Sequence, residues 1–227
     1  MSAPHTPLTF DAPYAILNLD WMTALITAIE DTPQGETFIS NCKQWNDAVH
    51  NMQERPPTIF TSLSFNPNQP EVEPGSPFAK LIAPYGEFTT GSHRVQIDER
   101  FHMNRSDIVL QKTRWSATAG NPLEQILRAK RIRSVVVVRM THNSARISTV
   151  LTSVHGQSGL SLSGVVMATV YRLFDLDYNV YVIRDNVLEL PVEQTTEVAH
   201  VMLDILLPKM GLRSISLEEA IEALGRS

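Results

Sequence analysis

At 227 residues, with 43% hydrophobic and 19% charged side chains, the chain is long enough to bury one substantial core and is expected to be a single domain, 1–227. The net charge of −5 comes without a basic stripe, since Lys and Arg are scattered apart from RAKRIR at 128–133, where they suit a helix C-terminus; this argues against a nucleic-acid partner. No run approaches the roughly 20 apolar residues of a membrane span, the opening MSAPHTPLTF lacks the blocks of a secretory signal, and a single cysteine excludes an internal disulfide, so the cytosol is the expected compartment.

Apolar runs that read as buried strands alternate with stretches of helical period. Strands are predicted at 14–20 (YAILNLD), 58–65 (TIFTSLSF), 107–112 (DIVLQK), 134–138 (SVVVV) and 178–185 (YNVYVIRD). Helices are predicted over 37–52, 121–132, from near Gly164, around 192–207 and at 216–224, where Ser216 and Glu219 form a capping box. Val and Ile runs without polar alternation suit a mainly parallel sheet covered on both faces, hence a three-layer α/β/α fold. Residues 66–106, with NPNQPEVEPGSPFAKLIAPYG, show little periodicity and are long for a plain connection; such a loop at strand ends often walls a ligand pocket.

Ligands of an open α/β sheet bind beyond the carboxyl ends of its strands. Asp20 ends the first strand, Lys112 ends DIVLQK, and the Gly/Ser-rich turn SGLSLSGVV (158–166) leads into a helix whose amino-terminal N–H groups face the same edge. Two readings of Asp20 and Lys112 stand side by side: an ion pair at adjacent strand ends that orients a proton-transfer carboxylate, or surface charges that happen to flank strands. Cys42, in a helical stretch, reads as a packing residue.

Taken together, ILNLD with Asp20, VLQKTRWSATAGNPLEQIL with Lys112, GLSLSGVVMATV, and YVIRD with Asp185 resemble the isochorismatase-like (cysteine hydrolase) superfamily, from about Tyr14 to the last helix. The resemblance implies a Rossmann-like α/β/α hydrolase domain, a pocket at the carboxyl edge that takes a small-molecule substrate, and an Asp–Lys–Cys triad. Asp20 would be the acid/base aspartate and Lys112 the lysine, with a cis peptide between Leu160 and Ser161 in the turn. It also implies a homo-oligomer.

Laying the family pattern C-V-x-x-T on VVMAT puts Val165 where the nucleophilic cysteine belongs, and Thr169 on the threonine. Valine has no lone pair to attack an amide carbon, so amidase chemistry through a thioester is not expected; Ser161 and Ser163 lie four and two residues upstream and point elsewhere on a tight turn. Isochorismatases proper carry glycine at that position and hydrolyse a vinyl ether by protonation, which needs a carboxyl group and no covalent intermediate. Two functions are therefore expected as alternatives: a cysteine-independent hydrolase, on isochorismate or a related small carboxylate, or a pseudoenzyme that keeps the pocket for binding or regulation. Ser161, Ser163 and Gly164 would line the pocket. Arg114 and Trp115 would contact an anionic planar ligand, or else are a surface arginine and a packing tryptophan. The seven histidines show no Asp-x-His spacing, so neither a metal nor another cofactor is predicted.

In the superfamily the fourth strand passes directly into the turn, whereas here 19 residues, Arg139 to Gln157, intervene. They are expected to be either a flap over the pocket or translated intron sequence, since removing them leaves SVVVVSGLSLSGVV without a seam.

Overall fold

A computed structural model describes residues 7–139, 162–189 and 194–227. The expected Leu160–Ser161 cis bond, Ser161 itself and the bulk of the 139–157 segment fall outside them.

The chain opens with β1 (Tyr14–Leu19), α1 (Thr23–Ile29), α2 (Pro33–His50), β2 (Thr58–Leu63) and α3 (Pro77–Ile82). It continues with β3 (Ile108–Lys112), α4 (Leu123–Ala129), β4 (Ser134–Arg139) and α5, a π turn at Leu162–Val166 that runs into Met167–Phe174. It closes with β5 (Asn179–Ile183), α6 (Thr195–Ala199, continued by His200–Leu206 and Leu207–Lys209), β6 (Arg213–Ile215) and α7 (Leu217–Leu224). The strands form one sheet in the order β3-β2-β1-β4-β5-β6, every neighbouring pair parallel. The order reverses between β1 and β4, which puts the crevice of the sheet at their carboxyl ends.

α1 packs on α2, and the start of α5 packs on α6. α7 then returns to pack on α2, and Arg172 of α5 reaches Glu124 of α4 at 2.7 Å. β1 and β2 are buried along their whole length, the polar Asn18, Thr58, Thr61 and Ser62 included, while β3 is an edge strand with Val109 48% exposed. Among the described residues no helix is long and apolar enough to cross a membrane.

Four features depart from the sequence expectations. α2 starts at Pro33, because Thr32 caps it through Gly35 N and a proline suits the first helical position. α1 and the three-residue β6 are too short to show periodicity. The 66–106 stretch is a packed cover rather than an open loop: it contains α3, buries Phe88, Val95 and Phe101, and is pinned by Phe65 N to Phe88 O (2.8 Å) and Asp98 N to Trp21 O (2.8 Å). Finally, β1 and β3 are not adjacent; β2 lies between them.

Candidate active site

Asp20 follows the last residue of β1 and has φ +58°. Of the five non-glycine residues with positive φ among the described residues, it is the one that is fully buried, the others being exposed or half-buried turn residues. An L-residue held in the left-handed region is strained by roughly 1–2 kcal/mol, and the surrounding structure has to enforce it. Here the enforcement is visible on both ends of the residue. Its N–H donates to Thr61 O (3.0 Å), extending the β1–β2 ladder by one rung, and Thr61 Oγ1 donates to Asp20 Oδ1 (3.0 Å).

The other carboxylate oxygen, Oδ2, lies 2.9 Å from Lys112 Nζ, with both side chains fully buried. The ammonium also donates to the carbonyls of Arg114 (3.1 Å) and Trp115 (3.2 Å), so among the described residues three oxygens surround a group with three protons. The pair thus bridges over the end of β2: Thr61 of the middle strand binds the carboxylate, and Ser64 N, just past β2, donates to Lys112 O (3.1 Å). A buried charge persists only when paired and hydrogen-bonded, and both conditions are met.

Arg114 and Trp115, expected either to contact an anionic ligand or to be a surface arginine and a packing tryptophan, have these partners within the protein. Arg114 is exposed, stacks over Phe78 (4.9 Å to the ring centroid) and donates to Glu71 O (2.8 Å) and Thr113 O (2.6 Å). Trp115 is half-buried and packs on the core. What both contribute to the pair is a backbone carbonyl, which no side-chain pattern announces.

The turn at the start of α5 presents a second arrangement. Val165 is fully buried, Gly164 is buried and Ser163 is exposed. Leu162 N donates to Leu188 O (3.1 Å), while Ser163 donates twice to one carboxylate, through N to Glu189 Oε2 (2.8 Å) and through Oγ to Glu189 Oε1 (3.1 Å). Glu189 is 2% exposed and its own backbone is held by Thr195, whose Oγ1 accepts from Glu189 N (3.0 Å). Thr169, which matches the superfamily threonine, accepts from Ala117 N (3.0 Å) and so ties α5 to the segment after Lys112. Asp185 accepts from Leu217 N at the start of α7 (2.6 Å).

Sequence reasoning missed Thr61 and Glu189. A threonine inside a strand that also holds Thr58 and Ser62, and a lone acid within VLEL, were the available signals, each too common to stand out. Cys42 is buried on α2, and burial pushes its thiol well above the ordinary range, against a smaller opposing contribution from Asn186, which suits the packing role.

The fold is that of several solved structures. An isochorismatase family protein from Burkholderia thailandensis is 16% identical with TM-score 0.70, the match covering 97% of this chain and 100% of that one. A cysteine hydrolase from Pseudomonas syringae pv. phaseolicola is 13% identical with TM-score 0.73, covering 100% and 99%. N-carbamoylsarcosine amidase from Thermoplasma acidophilum is 17% identical with TM-score 0.63, covering 90% and 96%. No curated protein sequence matches the chain. The isochorismatase domain family model matches residues 14–152, more than half of the chain, and the chain belongs to the isochorismatase family.

Proposed function

We propose that this protein is a hydrolase that works without a cysteine nucleophile, with Asp20 as acid/base and Lys112 beside it, on isochorismate or a related small carboxylate. The observation that carries this is the fully buried Asp20–Lys112 pair at 2.9 Å, with Asp20 held in a strained backbone at the carboxyl edge of the sheet. Strain and buried charge are both costly, and both are concentrated at one residue.

In vinyl-ether hydrolysis Asp20 passes a proton to the terminal methylene carbon of the enol ether. Water adds to the oxocarbenium carbon and returns a proton to Asp20, and the hemiketal separates into a keto acid and an alcohol. No bond to the protein forms, so the apolar Val165 does not interrupt the reaction. Lys112 steadies the negative charge on Asp20 as the proton leaves. We propose further that the whole chain acts as one domain in the cytosol and pairs with copies of itself, a reading supported by Tyr171 and Phe174 of α5 and Val201 and Ile205 of α6, which are 38–44% exposed. The 139–157 segment is proposed to be either a flap or retained intron, which transcript sequencing resolves.

The test is isochorismate consumption by the purified protein, followed by chromatography, with Asp20→Asn as the control and circular dichroism to show that it is folded. Turnover that is lost in the variant supports the proposal; a folded wild type without turnover defeats it.

A second reading is a pseudoenzyme that binds a ligand without converting it. It is supported by the fully buried Val165 in the nucleophile position. Calorimetric binding of isochorismate unaccompanied by product would favour it.

A further inference from the structure

The Arg114 side chain is drawn away from the buried pair, yet its backbone holds the cation of that pair, and the two facts are connected. In the segment that follows β3, each carbonyl from Thr113 to Trp115 has a donor. Thr113 O accepts from Arg114 Nη1 (2.6 Å), while Arg114 O and Trp115 O accept from Lys112 Nζ (3.1 and 3.2 Å). Thr113 N in turn donates to Ala119 O (3.2 Å). The guanidinium therefore grips the peptide unit immediately before the carbonyl that receives the ammonium.

The other end of that grip lies in the 66–106 cover. Arg114 Nη2 donates to Glu71 O (2.8 Å), and the guanidinium stacks over Phe78 in α3 (4.9 Å to the ring centroid). Glu71 is a firm anchor, because its carboxylate accepts from Asn66 N (3.0 Å) and Asn66 Nδ2 (2.7 Å) and so closes the turn to which it belongs. Two residues before Asn66, Ser64 N donates to Lys112 O (3.1 Å). The contacts close a ring that leaves the Lys112 carbonyl, runs through the cover and returns to the Lys112 ammonium by way of the Arg114 side chain. A planar guanidinium can bridge two carbonyls and lie over a ring at the same time, which the point charge of a lysine does not reproduce.

We propose that Arg114 is a positioning residue for Lys112: by clamping its own loop to Glu71 and Phe78 it holds the carbonyl of residue 114 against the ammonium, and so keeps Nζ on Asp20 Oδ2. As a role in catalysis this rests on the reading of the pair given above; as a statement about what holds the ammonium it does not. The same side chain couples the cover to the pair, since a shift of the 71–78 stretch is passed through it to Lys112.

Lys112 is fully buried, so its amine reacts with acetic anhydride only through local opening, and the rate reports how firmly it is held. Labelling is followed by mass spectrometry, with the exposed Lys43 and Lys130 as references for the reagent. In Arg114→Met the relative rate at Lys112 is expected to rise about tenfold, as one hydrogen bond and one cation–ring contact of ordinary strength are lost. An unchanged rate in the folded variant overturns the proposal, and so does a rise no larger than that of hydrogen exchange at the β1 amides, which report global opening. If Arg114→Met does not fold, Arg114→Lys, which keeps the charge without the fork, decides by the same two criteria. In the isochorismate assay Arg114→Met is expected to lower kcat about tenfold with KM within about twofold, whereas a raised KM at unchanged kcat would make Arg114 a ligand contact and overturn the proposal. A wild type without turnover defeats the proposed reaction and leaves the labelling to decide this inference.

Discussion

Two halves of one sheet edge handle negative charge in opposite ways. On the β1–β3 side, Asp20 is balanced by a full positive charge, Lys112, whose ammonium is in turn satisfied by two carbonyls. On the β4–β5 side, Glu189 has neutral donors, the N–H and hydroxyl of Ser163, in a turn whose next residues, Gly164 and Val165, are buried. The first arrangement keeps a charge pair that packing alone would not demand; the second keeps a helix start in order. The difference teaches that the two sides are built independently: one balances a buried carboxylate with a charge, the other with neutral donors.

The pair is the part that should break hardest. Lys112→Met leaves Asp20 buried without its counter-charge and is expected to lower stability by about 3–5 kcal/mol in urea unfolding, whereas Asp20→Asn/Lys112→Met, which removes both charges, should recover much of that loss. A double variant as unstable as the single one would show that the ion pair is not the stabilising unit. Next in size, Val165→Ala is expected to cost about 2 kcal/mol as two buried methyl groups are lost, measured the same way; a cost near zero would mean that the position is open rather than packed. Ser163→Ala removes one of the two bonds to Glu189 and should cost about 1 kcal/mol, since the amide bond remains.

An effect confined to alkaline pH belongs to Cys42 on α2. Its thiol is raised in the folded state by burial, so the unfolded chain releases a proton first as pH rises. The resulting stability is complete below about pH 8.5 and is lost above it, at up to about 1.4 kcal/mol per pH unit, until the folded value is reached. Cys42→Ala should flatten that slope in unfolding measurements between about pH 8.5 and 9.5, and wild-type Cys42 should resist iodoacetamide until the protein unfolds.

The long apolar runs were legible because they have to be: a strand covered on both faces tolerates almost nothing else, and β1, β2 and β4 stand where YAILNLD, TIFTSLSF and SVVVV placed them. The capping box at Ser216 and Glu219 is local chemistry and was equally plain. α1, α3 and β6 were not, since three to seven residues carry too little periodicity to separate them from loop. Within the site, Asp20 and Lys112 were visible as charges closing apolar strands, but Thr61, Glu189 and the carbonyls of Arg114 and Trp115 were not, because each acts through a partner far away in sequence or through backbone alone.

What the sequence by itself determined is therefore the set of long buried strands and the cap of the last helix, both properties of residues read with their near neighbours. Only the tertiary structure decided that Asp20 and Lys112 meet across the end of an intervening strand, that Arg114 turns away to Phe78, and that Glu189 reaches Ser163. Those outcomes depend on strand order and on which hydrogen-bond donors are left over once the sheet has formed, and a linear pattern contains neither.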